Sequence, residues 1–106
     1  MQLSINRESL LKAINLIAKA ADKRHNMVIL GNIKLQLSEG ALILTASDLE
    51  VELTSTLKLP AGACIEAGTT TLPATKLRDI CKSLPSQAQV NLTTQENERC
   101  LLTSGK

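Results

Sequence analysis

Met1, Leu3 and Ile5 alternate with Gln2 and Ser4, the period-two pattern of a short strand with one face buried. Asn6 follows as a helix N-cap, and Glu8 falls in the first turn, where a carboxylate suits the positive end of the helix dipole. Leu10, Ile14, Ile17 and Ala21 then recur at helical spacing and predict an amphipathic helix over residues 7–22. Val28 to Leu37 predicts a strand, with Ile33, Leu35 and Leu37 on one face and Lys34 and Gln36 on the other. Ser38-Glu39-Gly40 turns the chain, Ala41 to Ala46 returns as a strand, and Ser47-Asp48 turns it again. Val51, Leu53, Ser55, Leu57 and Leu59 alternate with Glu50, Glu52, Thr54, Thr56 and Lys58, a further strand buried on one face.

Pro60-Ala61-Gly62 breaks that alternation. Residues 63–72 lean towards one β segment, interrupted at Gly68, and Pro73 is placed to open a second helix. Leu77, Ile80, Cys81 and Leu84 supply its apolar face, and Pro85 ends it. Val90 and Leu92 mark a strand, Gln95-Glu96-Asn97-Glu98 a turn, and Cys100 to Thr103 a last strand. The β segments mostly follow one another through short turns, so the sheet is expected to be largely antiparallel and the class α+β. No internal repeat or low-complexity segment is visible. Ser104-Gly105-Lys106 reads as a turn towards a further strand, so the final strand is expected to be an exposed edge or the chain a piece of something longer.

The 106 residues correspond to one domain or part of one. A hydrophobic share of 43% with 21% charged residues is that of a globular chain and not of a disordered one. No apolar run approaches the length of a membrane helix, and no basic-then-apolar leader opens the sequence. Cys64, Cys81 and Cys100 are too few and too scattered for a disulfide framework, so the chain reads as cytosolic and reduced. The aromatic count of 0% is more restrictive: it excludes modules that stack bases on Phe, Tyr or Trp, and it removes the usual anchors of tight interfaces. Any contact with nucleic acid must be electrostatic.

A net charge of +2 says little until it is divided among the elements. Residues 7–25 carry Arg7, Lys12, Lys19, Lys23 and Arg24 against Glu8 and Asp22, a net +3. The second helix carries Lys76, Arg78 and Lys82 against Asp79, a net +2, and the strands and turns hold the balancing −3. At about 100° per residue, Lys12, Lys19 and Lys23 fall within about 40° of one another, opposite Leu10, Ile14 and Ala21. Such a ridge can follow a phosphate backbone without reading bases, or it can be a solvated helix face.

Candidates for chemistry are few. Asp48, Glu50 and Glu52 are close in sequence, but their alternation with Val51 and Leu53 is accounted for by a solvent-facing strand. His25, the single histidine, stands beside Lys23 and Arg24 with no nameable partner or co-ligand, and the cysteines read as small core side chains. There is no phosphate-cradling glycine loop and no nucleophile elbow. No catalytic residue, metal site or cofactor is expected.

The segment Met27-Val28-Ile29-Leu30-Gly31-Asn32-Ile33-Lys34-Leu35, followed by Leu42 to Glu52 (LILTASDLEVE), resembles the first domain of the bacterial replicative sliding clamp family, the β subunit of DNA polymerase III. Leu10-Leu11-Lys12, Thr69 to Ala74 (TTTLPA), Asp79-Ile80-Cys81 and Leu84-Pro85 fit the same family in order, from about residue 3 to the end.

The resemblance implies subunits of three similar domains, two of which close head to tail into a ring around double-stranded DNA, with helices lining the hole and sheets outside. It implies a non-catalytic processivity factor that touches phosphates loosely and tethers the polymerase, in the cytoplasm and on the nucleoid. Arg24 matches a position where the family touches DNA, and Lys76, Arg99 and Lys106 match basic positions at the subunit interface. Val28 and His25 stand where proline is familiar, and Thr75 replaces a basic residue beside Lys76. On this reading residues 1–106 are a first domain short of its last strands. The second and third domains, and with them the pocket for the polymerase catalytic subunit and the clamp loader, are absent. The competing expectation is a small non-catalytic interaction module whose acidic sheet binds a basic protein.

Overall fold

A computed structural model describes residues 1–22, 32–47, 52–95 and 99–104, without the side chains of residues 18–22 and 47. The chain runs β1 (Gln2–Asn6), α1 (Arg7–Asp22), β2 (Asn32–Ser38), β3 (Ala41–Ser47), β4 (Glu52–Lys58), β5 (Cys64–Glu66), β6 (Gly68–Pro73), α2 (Ala74–Ser83), β7 (Gln89–Gln95) and β8 (Arg99–Ser104). The expected helix over 7–22 is α1. Val28 to Gly31, at the start of the expected second strand, and Glu50 and Val51 lie outside the described residues.

The single β segment expected over 63–72 is instead two strands in different sheets. One sheet has the order β5-β1-β7-β8 and the other β4-β3-β2-β6, with every pairing antiparallel. The chain leaves the first sheet after Glu66 and enters the second at Gly68. Gly68 passes so close to Met1 that an added Cβ would stand 3.0 Å from Met1 Cβ and 3.1 Å from its Cα and N. A residue without a side chain lets the chain cross there. At the β2–β3 hairpin the two-residue turn Glu39-Gly40 works differently: Gly40 has φ +86°, a left-handed conformation that glycine adopts without Cβ strain.

The pairing also exposes an order that the sequence did not. A strand–helix–strand–strand unit occurs twice, as β1-α1-β2-β3 and as β6-α2-β7-β8. The first strand of each unit pairs with the other unit's second strand, β1 with β7 and β6 with β2. The halves are therefore interlocked through both sheets.

One apolar cluster joins all these elements. Leu3 and Ile5 of β1, Leu10, Ile14 and Ile17 of α1, Leu35 of β2, Leu44 of β3, Leu77 and Cys81 of α2, and Leu92 of β7 are all buried in it. Both helices thus cover the inward faces of both sheets, with α1 packed on β4 and on α2. Every buried residue among those described is apolar, so the core holds no charged group. No described helix is long and apolar enough to cross a membrane.

Candidate nucleic-acid interface

α1 begins where the sequence placed its start. Asn6 Oδ1 accepts hydrogen bonds from the backbone N–H groups of Glu8 (2.7 Å) and Ser9 (3.4 Å), satisfying donors that the first turn leaves without helical partners. With Leu10, Ile14 and Ile17 turned into the core, Lys12 and Asn15 are exposed on the far side. They border a shallow surface depression of about 440 Å³ with Glu8, Leu11 and Leu16, and Leu16 is 55% exposed. Lys19 belongs to the same helix two turns on, although its side chain is not described. Lys23, Arg24 and His25 lie outside the described residues. Of the expected basic ridge, the structure therefore places Lys12 on the solvent side.

Arg7, counted in the net charge of residues 7–25 but not in the ridge, is turned elsewhere. Its side chain is only 14% exposed. Nε donates to Cys81 O at 2.8 Å, one terminal nitrogen donates to Lys82 O at 3.3 Å, and the other pairs with Glu8. Its backbone N–H donates to Ala88 O at 2.9 Å. The guanidinium thus caps the C-terminal end of α2, across 74 residues of sequence. Short-range pattern carries no trace of such a contact.

On α2, Ala74, Leu77 and Cys81 are buried, while Lys76 and Lys82 are exposed. Arg78 is half-buried, with its Nε enclosed and without a hydrogen-bond partner among the described residues. Ile80, expected on the apolar face, stands 37% exposed at the flank, because its helical angle lies about 90° from the Ala74–Leu77–Cys81 centre. It lines a groove of about 290 Å³ between α2 and β8, together with Lys76, Leu72, Cys100 and Leu102. Arg99, exposed at the start of β8, borders a neighbouring polar cleft of about 520 Å³ with Lys34, Thr94 and Gln95, and Thr71 lines both hollows. The fold thus brings Lys76 and Arg99 to one end of the domain, at the outer strands β6 and β8 of the two sheets. Lys106, grouped with them by the family resemblance, lies outside the described residues.

The described strands themselves are not acidic. Lys34, Lys58 and Arg99 oppose Glu52 and Glu66, and exposed strand positions are filled by residues such as Thr54, Thr56, Thr69 and Thr71. Asp48, Glu50, Glu96 and Glu98, which made the strands and turns acidic in the charge count, lie outside the described residues. Among the described residues no cluster of His, Cys, Asp or Glu is arranged to hold a metal ion. Burial pushes the thiols of Cys81 and Cys100 above their ordinary range, opposed at Cys81 by the nearby Arg7 charge and at Cys100 by a hydrogen bond with the Thr93 backbone and by the N-terminal charge. Both are protonated at neutral pH and suited to packing.

Two helices over two antiparallel four-stranded sheets are the architecture of a sliding-clamp domain. The crystal structure of the DNA polymerase III subunit beta from Pseudomonas aeruginosa matches with a TM-score of 0.82 at 39% identity, covering 100% of this chain and 28% of that one. The DNA polymerase sliding clamp from Caulobacter crescentus matches with a TM-score of 0.82 at 30% identity, with the same coverage. In sequence, the beta sliding clamp of Haemophilus influenzae is 40% identical over all 106 residues, and that of Escherichia coli K12 is 39% identical. The family model for the DNA polymerase III beta subunit, N-terminal domain, matches residues 1–106, and the chain belongs to that family. It spans 28% of the length of these relatives.

Proposed function

We propose that residues 1–106 serve as the first clamp domain of a DNA sliding clamp, a non-catalytic processivity factor of the bacterial replicative polymerase. The observation that carries this reading is the match along the whole chain, in sequence and in fold, to proteins named beta sliding clamp. In this role the domain contributes helices to the wall of a ring formed by two subunits around double-stranded DNA. α1 supplies Lys12, Lys19, Lys23 and Arg24 as loose contacts to phosphates, and Lys76, Arg99 and Lys106 serve the joint with the second subunit. The catalytic subunit of DNA polymerase III and the clamp loader engage other domains of that ring, in the cytoplasm and on nucleoid DNA.

The chemistry asked of the domain is modest. Sliding needs contacts strong enough to centre the duplex and weak enough to exchange. Exposed ammonium groups meet both conditions, since they gain affinity mainly through counterion release and carry no base specificity. The interaction-module reading needs an acidic face, and the exposed positions of the described strands carry mostly hydroxyl and amide groups.

The test is charge reversal of Lys12, Lys19 and Arg24 to glutamate in the full natural subunit. Folding and dimerisation are expected to survive, while processive synthesis falls and the salt slope of DNA binding drops by about one for each phosphate no longer neutralised. A triple variant with the wild-type slope would leave α1 as a solvated face only.

A further inference from the structure

We propose that Arg7 is a positioning residue, pinning the last turn of α2 to the first turn of α1 so that Lys82 stands at a fixed place beside the phosphate-facing surface of α1. The inference rests on the DNA-binding reading above and extends it to α2, from which sequence and resemblance named only Lys76 as a functional residue.

The last turn of α2 needs outside help. Its final carbonyls have no helical donors, the C-cap Leu84 is extended with ψ 155°, and no glycine follows to close the end. Three residues supply donors, in four hydrogen bonds. Ser83 Oγ donates to Ile80 O at 2.8 Å, the Leu84 N–H to Cys81 O at 3.3 Å, and Arg7 to both Cys81 O and Lys82 O at 2.8 and 3.3 Å. Only Arg7 comes from another element. Its charge also lies at the negative end of the α2 dipole, where a cation is stabilising. The planar fork bonds two successive carbonyls at once, which a lysine ammonium cannot do with the same geometry.

Arg7 is itself held on both sides. It is the first residue of α1, directly after the Asn6 cap, and its N–H is bonded to Ala88 O just before β7. Lys82 therefore starts from a backbone fixed to the same turn of α1 that leads into Lys12, and both side chains are exposed. The Arg7 charge is spent at this joint, so Arg7 contributes alignment of the two helices and no phosphate contact of its own.

The experiment compares R7Q, R7K, K82Q and R7Q/K82Q in the full natural subunit, at a temperature where each is folded. DNA binding is measured as a function of salt, and protection of the Leu84 amide by hydrogen exchange. K82Q is expected to lower the salt slope by about 0.9 and to weaken binding about fivefold at about 0.15 M salt. R7Q is expected to do the same, the double variant to be no weaker than K82Q alone, and R7K to side with R7Q. In both Arg7 variants the Leu84 amide exchanges faster. Wild-type binding in R7Q, full recovery in R7K, or additive effects in the double variant would each overturn the proposal. Should the wild-type subunit itself bind DNA without salt dependence, the functional reading fails. Amide exchange then decides the pin alone: faster exchange in R7Q upholds it, and unchanged exchange refutes it.

Discussion

At the scale of single residues, the side chains that packed against near neighbours were the legible ones. Asn6 caps α1 as its position before an amphipathic run implied, because capping is a contact over two or three residues. Arg7 entered the sequence reading only through the net charge of residues 7–25, and its service to α2 was not legible, since a hydrogen bond across 74 residues leaves no local pattern. The cysteines were read as core; Cys81 is fully enclosed, while Cys64 and Cys100 are half-buried and pack against the core. Their ionisation gives a prediction with a definite sign. Burial raises the Cys81 and Cys100 pKa values above the ordinary value of 9.0, so near pH 9 the unfolded chain releases thiol protons that the folded chain keeps. Unfolding free energy should be insensitive to these groups below about pH 8 and decline as pH rises through 9. Urea titrations from pH 7 to pH 10 on the native chain and on C81A/C100A check this. The decline attributable to thiols should be smaller in the double variant, and an equal decline in both would remove the cysteines as its source.

At the scale of elements, helix α1 and the hairpin strands β2 and β3 followed from periodicity, because each buries one face against a single continuous layer. The segment over 63–72 did not. Its residues satisfy β preference throughout, but Cys64–Glu66 and Gly68–Pro73 pair with different sheets, and pairing partners are not written in local pattern. Gly68 is the residue that permits the crossing. Changing Gly68 to Ala places a methyl group 3.0 Å from Met1 Cβ and 3.1 Å from Met1 backbone atoms, which side-chain rotation cannot relieve. A loss of about 1–3 kcal/mol is expected from overpacking at this site. Chemical denaturation of the variant measures it, and a change below about 0.5 kcal/mol would mean that Met1 gives way and that the crossing does not depend on glycine.

At the scale of the whole molecule, two strand–helix–strand–strand units interlock by exchanging their first strands, and this places both helices over the inward faces of both sheets. No repeat was visible in the sequence, because the units share an order of elements and a reciprocal pairing and not a pattern of residues. The basic character of the helices was legible from charge counting. The gathering of Lys76 and Arg99 at one end followed from the family resemblance and not from local pattern, since it depends on β6 and β8 being the outer strands of their sheets. The proposal under test is topological: that the domain is part of a ring that holds DNA by enclosure, with phosphate contacts too weak and too general to hold it by affinity. The most direct measurement is retention of the full natural subunit, once loaded, on nicked circular DNA and on the same DNA after linearisation, through a high-salt wash. The subunit is expected to stay on the circle and to slide off the linear molecule. Equal loss from both, or equal retention on both, would contradict it.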